Sequence, residues 1–195
     1  MKEFIGFRPK YSVSGAGSLP PVIRARIADS VTIREGGAVI DNGTTGISPV
    51  AGASTSVFGY VVGFEDKDGF LYKHKTSGFA GTYTESAQGD TYLATTTEGV
   101  AALLIPAAGV VCSGYLNAAA LSSAGSNVPG YFLDSAGATS GEEYLLESSA
   151  STTKAQFKLM PGTTTRLATD PEHPESTRRV MVLGIEVLQA YDAGA

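Results

Sequence analysis

Ser56-Val57-Phe58-Gly59-Tyr60-Val61-Val62-Gly63-Phe64 decides the class of fold. It joins β-branched and aromatic side chains, which favour extended backbone, with two glycines that mark bulges or close approach of another backbone. Glu65-Asp66-Lys67-Asp68-Gly69 then supplies a polar turn, and Phe70-Leu71-Tyr72 opens a further strand. Toward the N-terminus, Val31 and Ile33 alternate with Thr32 and Arg34, the period of two of a half-buried strand. After Glu35-Gly36-Gly37 comes Ala38-Val39-Ile40, then Asp41-Asn42-Gly43. Asn-Gly predicts a two-residue type I′ hairpin, because both central residues of that turn need positive φ. Asn42-Gly43-Thr44 also matches the glycosylation sequon; with no apolar leader at the start of the chain, the match is read as incidental.

Toward the C-terminus, Thr82-Tyr83-Thr84 and Thr91-Tyr92-Leu93 read as strand fragments in a polar stretch. Val100-Ala101-Ala102-Leu103-Leu104-Ile105 and Val110-Val111-Cys112-Ser113-Gly114-Tyr115 flank a short Pro/Gly loop, and two apolar runs so arranged predict a buried hairpin. Residues 116–150 are rich in small side chains and read as an irregular insertion, with one helical turn allowed at 116–121. Pairing resumes at Ala155–Met160 and at the terminal run Arg179–Leu188, separated by a loop at 168–177 with two prolines and three carboxylates. No long apolar stripe of period 3.6 occurs. The expectation is an all-β fold, a compact barrel or sandwich over residues 29–195, preceded by an extended arm over residues 1–28.

Composition agrees. The 195 residues are 43% hydrophobic and 17% charged, with 24 glycines, against an ordinary charged share of about 25%. That mix excludes coiled coils, helical bundles and charge-rich disorder. No apolar run reaches the roughly 18–20 residues of a membrane-spanning helix. Cys112 is the only cysteine, so no intrachain disulfide forms, and its apolar neighbours mark it as a buried thiol. With His74 and His173 the only histidines, no zinc spacing can be written.

Charge is unevenly spread. Residues 1–28 carry Lys2, Arg8, Lys10, Arg24 and Arg26 against Glu3 alone, while residues 29–195 carry 9 basic and 18 acidic side chains. Five charges in the arm are too sparse for a nucleic-acid tail, so an acidic protein surface is the expected partner. Phe4, Ile5, Phe7 and Tyr11 are too apolar for a solvated tail. Two readings stand: the arm orders on a neighbouring subunit, or it folds back on its own domain. In the first, burial at about 1.5–3 kcal/mol per side chain is largely offset by backbone ordering at about 1–2 kcal/mol per residue. One arm would hold weakly, and several acting together in an oligomer would hold well.

The chain carries no Gly-x-Ser-x-Gly elbow, Walker loop or His-Glu-x-x-His. Ser151-x-x-Lys154 has the spacing of an acyl-transfer pair, but in a strand-forming stretch alternation puts the two on opposite faces. Glu142-Glu143 and Glu172/Glu175 fall in loops and read as solvated charge. Asp66-x-Asp68-Gly69 looks like the start of a calcium loop, but residues 70–77 supply no carboxylate. No cofactor, no metal and no enzymatic activity are expected.

The order of Val31-Thr32-Ile33, Val57–Glu65, the run Val100–Ile105 and Val182-Leu183-Gly184-Ile185-Glu186-Val187 resembles the capsid decoration (cement, or head-stabilisation) proteins of tailed bacteriophages. The resemblance covers residues 29–115 and 180–190, and the chain exceeds the smallest members chiefly in residues 116–177. It implies a non-enzymatic virion protein, made in the host cytoplasm, that binds the major capsid protein on the outer capsid surface. Such proteins are often trimers, and neither nucleic acid nor membrane is implied. On this reading the capsid-binding arm comprises Phe4, Ile5, Phe7, Arg8, Lys10, Tyr11, Arg24 and Arg26. The alternative is a surface-displayed carbohydrate-binding or adhesin module using Tyr131, Phe132 and Tyr144.

Overall fold

The computed structural model describes residues 6–13, 17–50, 56–66, 68–71, 82–84, 91–93, 100–117, 132–135, 145–147, 157–159 and 177–184. These residues are almost entirely β-structure, with one 3-10 turn at Gly43–Thr45 and no α-helix among them. The strands are β1 (Arg8–Ser12), β2 (Ile23–Arg26), β3 (Thr32–Arg34), β4 (Ala38–Asp41), β5 (Ile47–Pro49), β6 (Gly59–Asp66) and β7 (Thr82–Thr84). They continue with β8 (Thr91–Leu93), β9 (Val100–Pro106), β10 (Val110–Asn117), β11 (Phe132–Ser135), β12 (Leu145–Glu147), β13 (Phe157–Leu159) and β14 (Thr177–Gly184).

Three sheets result. The largest runs β1-β10-β12-β11-β13-β14, the second β2-β9-β6-β4-β5 and the smallest β3-β8-β7. Of the two forms expected, barrel or sandwich, the barrel is not formed among the described residues. β10 also pairs with β14, but the ladder between β10 and β12 is registered at Leu116 and Leu145 alone. Among the described residues the edges of the five-stranded sheet are joined by an isolated bridge, Ile27 to Ile47, rather than by a continuous ladder.

The five-stranded sheet lies between two cores. Ala38, Tyr60 and Ile105 face one, together with Phe7, Val110, Cys112 and Phe157 of the largest sheet's side. Val39, Val61, Phe64, Ala102 and Leu104 face the other, with Ile33 and Tyr92 of the smallest sheet. This explains why β6 and β9 read as near-continuous apolar runs: a strand covered on both faces has no polar side to alternate with. Val61 and Phe64 both enter the second core although three positions apart, which a regular period of two forbids. The register shift between Val61 and Gly63, opposite Leu104 and Leu103, inserts Val62 as the extra residue and restores the parity. At Gly59 a Cβ would lie 2.9 Å from the Ile105 carbonyl oxygen, so the close approach foreseen for the glycines of this strand is real here.

Two local expectations are corrected. β9 and β10 do not pair as a hairpin; they belong to different sheets. The Ala107 amide still donates to the Phe58 carbonyl, so the chain follows the five-stranded sheet past Pro106. Then the Val110 amide bonds back to the Ala107 carbonyl and Gly109, at φ 61°, turns the chain across to the largest sheet. The Asn42-Gly43 turn does join paired strands β4 and β5, but as a longer loop in which Asn42 keeps φ −98° and Gly43 and Gly46 take the positive values. The insertion at 116–150 is less irregular than expected: Leu116 and Asn117 end β10, and β11 and β12 follow.

The leader is also corrected. β1 pairs antiparallel with β10 and β2 with β9, so residues 8–12 and 23–26 belong to the two large sheets rather than to an extended arm. Pro9 is tolerated because β1 is an edge strand, where a missing N–H breaks no ladder. The register skips between Pro9 and Tyr11, making Lys10 the bulged residue. Phe7 is only 2% exposed, and it stacks on Phe157 with centroids 4.5 Å apart and leans on Tyr60 at 5.7 Å.

Cys112 sits in that same core, where burial pushes its thiol far up, against the lesser effects of a hydrogen bond with Tyr60 and the charge of Lys10. The folded chain keeps the proton that an unfolded one releases above about pH 8.5. Stability is therefore complete below that pH and falls above it at about 1.4 kcal/mol per pH unit. Urea unfolding between about pH 8.5 and 9.5 should show this decline in the native chain and a flatter profile in Cys112→Ala.

Candidate interaction surface

The eight residues expected to grip a partner have separate fates. Phe4 and Ile5 lie outside the described residues. Phe7 is committed to the chain's own core and offers nothing to a partner. Arg8 is half-buried opposite Ser113, whereas Lys10 and Tyr11 are exposed at and beside the bulge. Arg24 and Arg26 both point outward on β2, alternating with the half-buried Ile23 and Ala25.

The two arginines are already engaged within the chain. Arg24 Nε lies 2.9 Å from Glu65 Oε1, with side-chain exposures of 54% and 17%, and Arg24 Nη2 donates to the Asp66 carbonyl oxygen at 3.2 Å. Arg26 Nη1 reaches the Thr44 carbonyl at 3.5 Å. Part of the acidic surface expected of a partner is thus supplied by the chain itself. Such an exposed pair contributes at most about 1 kcal/mol. Glu65→Gln should accordingly cost less than about 1 kcal/mol in urea unfolding, with the difference shrinking as salt is added.

Side chains not singled out from the sequence complete the surface. Val13 is 56% exposed and Val22 50%, and Leu19 and Tyr11 are exposed as well. Residues 10–13 and 17–26 therefore present apolar side chains together with Lys10, Arg24 and Arg26. The signal was in the sequence: apolar residues set among Pro20, Pro21 and Gly17 have little neighbouring structure to cover them. A second exposed apolar pair, Phe70 at 70% and Leu71, follows the turn after β6. That turn is tightly drawn: the Asp66 carboxylate accepts from the amides of Asp68 and Phe70, and the Gly69 amide donates to the Asp66 carbonyl. Its geometry is that of an Asx turn, with Asp66 Oδ1 accepting from both amides.

Among the described residues no group of three or more His, Cys, Asp or Glu side chains is placed to hold a metal, and no helix is long and apolar enough to cross a membrane. Tyr131, Tyr144, Glu142, Glu143, Ser151, Lys154, Glu172 and Glu175 lie outside the described residues; Phe132 opens β11. No protein family, curated protein or solved structure matches this chain.

Proposed function

We propose that this chain is a non-enzymatic virion structural protein that binds the outer surface of a tailed-phage capsid and stabilises contacts between coat subunits. The observation that carries the reading is the basic, apolar strip formed by residues 10–13 and 17–26, on and beside β1 and β2, in a chain that is otherwise acidic. Exposed apolar side chains in such a strip gain burial only against another molecule, and the cations favour an acidic one. Because Lys10, Tyr11, Arg24 and Arg26 are carried on folded strands and Val13 and Val22 adjoin them, binding does not have to order all of the strip. The grip is made by outward-facing side chains of β1, β2 and the described residues beside them, and several copies in a homo-oligomer, a trimer by the resemblance, multiply it.

Deleting residues 1–22 is a poor test, because it removes β1 and Phe7 from the fold. The better variant replaces Tyr11, Val13, Leu19 and Val22 together by Ser. Wild-type protein should sediment with expanded phage heads at a fixed copy ratio to the coat protein. The quadruple variant should keep its fold and bind at least about tenfold more weakly, a loss of ~1.4 kcal/mol or more. Attachment should weaken as salt rises. A variant that sediments as the wild type does would remove the strip from the account.

A further inference from the structure

The loop joining β4 to β5 holds a second kind of chemistry. Asn42 and Gly43 are both exposed, and Asn-Gly is the pair in which a backbone amide most readily attacks the preceding side chain, since glycine has no Cβ to obstruct the approach. We propose that Asn42 is a site of slow self-modification whose rate is set by a hydrogen-bonded clamp. The Gly43 nitrogen bonds to Asn42 Cγ while the Cγ–Nδ2 bond breaks, and the departing nitrogen leaves as ammonia, taking the Gly43 amide proton through solvent. The resulting cyclic imide then takes up one water molecule and opens to aspartate or isoaspartate.

Three observations hold that reaction back in the folded chain. Asn42 Nδ2 donates to Ser48 Oγ at 2.7 Å, which fixes the leaving amide across the loop. The Gly43 N–H donates to Asp41 Oδ1 at 2.8 Å, which turns the attacking nitrogen toward a carboxylate instead of Cγ. Asn42 itself has φ −98° and ψ 20°, a conformation that carries the Gly43 nitrogen away from its own side chain, so closure needs rotation about the Cα–C bond. The loop must open locally before it can react, and Ser48 is the positioning residue that keeps it shut.

The product matters because of where it forms. The Thr44 carbonyl, two residues along the same loop, accepts from Arg26 Nη1, so a new carboxylate at position 42 adds negative charge to the loop that Arg26 of the basic strip reaches. Resting on the proposed binding role, this makes the conversion a slow weakening of attraction to an acidic partner.

The test needs no partner. The full chain is aged in warm, mildly alkaline buffer and digested, and the peptide containing residue 42 is read by mass spectrometry for amide-to-acid conversion and isoaspartate. The folded wild type should convert at least about tenfold more slowly than the urea-unfolded chain, the factor set by a local opening free energy of ~1.4 kcal/mol. Ser48→Ala, shown to be folded by circular dichroism, should convert several-fold faster than wild type, and Ser48→Thr, which keeps the hydroxyl, should stay slow. Equal rates in folded wild type and folded Ser48→Ala would overturn the clamp. No conversion at Asn42 even in the unfolded chain would overturn the site. Neither result bears on attachment to phage heads, so the two proposals fail separately.

Discussion

Replacing Phe7 by Ala should cost the isolated protein about 3–5 kcal/mol, the usual loss when a buried aromatic ring is truncated in a core. The ring is 2% exposed and packs between Phe157 and Tyr60, so its removal leaves a cavity walled by side chains of both large sheets. The backbone limits any collapse into that cavity. The Phe7 amide donates to the Gly36 carbonyl at 2.7 Å, and β1 is pinned along β10 immediately afterwards. The stacked pair with Phe157 adds about 0.5–1.5 kcal/mol beyond area alone. Phe7→Leu, which keeps most of the volume, should lose less than about 2 kcal/mol. Urea unfolding of the purified chain measures both. If the leader ordered only on a neighbour, Phe7→Ala would leave the midpoint of the isolated protein where it was.

The second large effect is expected at Gly46. Its φ of 100° lies in the region L-residues avoid, and a Cβ there would sit 2.6 Å from the Arg26 carbonyl oxygen and 3.1 Å from the Ala28 nitrogen. Both obstacles are backbone, and neither can swing aside. The Ala28 amide is bonded to the Ile47 carbonyl, and Arg26 is paired with Ala101 of β9. Positive-φ strain of about 1–3 kcal/mol therefore adds to a clash that only strand displacement relieves. Gly46→Ala should cost more than about 3 kcal/mol in the same urea measurement. Gly43 in the same loop is the control. Its φ is 68°, but nothing lies within 4 Å of where a Cβ would stand, so Gly43→Ala should cost about 1–2 kcal/mol.

Much of the fold was legible. The fragments β7 and β8 and the strand at 157–159 fall within runs whose residue types and periods announced them, and β6 and β14 overlap theirs, β6 running on through Glu65 and Asp66 where a turn was expected and β14 starting two residues early at Thr177. What the sequence did not carry was partnership. Val100–Ile105 and Val110–Tyr115 look like two halves of a hairpin, yet the first pairs with β2 and β6 and the second with β1 and β14, in a different sheet. Asn42-Gly43 correctly marked a reversal between paired strands, but local propensity does not register that Gly46, three residues on, must pass under the Arg26 carbonyl.

The candidate surface was legible in half. Lys10, Tyr11, Arg24 and Arg26 do face outward. Phe7 does not, and the sign was present: Ile5, Phe7, Pro9 and Tyr11 recur with a period of two, as in a strand. Pro9 disguised it, because proline argues against a central strand and says nothing against an edge strand with a bulge beside it. The positive charges reinforced the look of a tail, yet one of them, Arg24, is bound to Glu65 of the chain's own body.

Residues 8–12 and 23–26 belong to this molecule's own sheets, and we propose that they grip with their outward side chains. Hydrogen exchange of the isolated protein, followed through residues 6–13, tests this account most directly. The Phe7 and Val13 amides, bonded to the Gly36 and Gly109 carbonyls, should exchange as slowly as those of β10 before any partner is added. Exchange of this segment at the rate of an unstructured peptide, with protection gained only on addition of phage heads, would contradict the account.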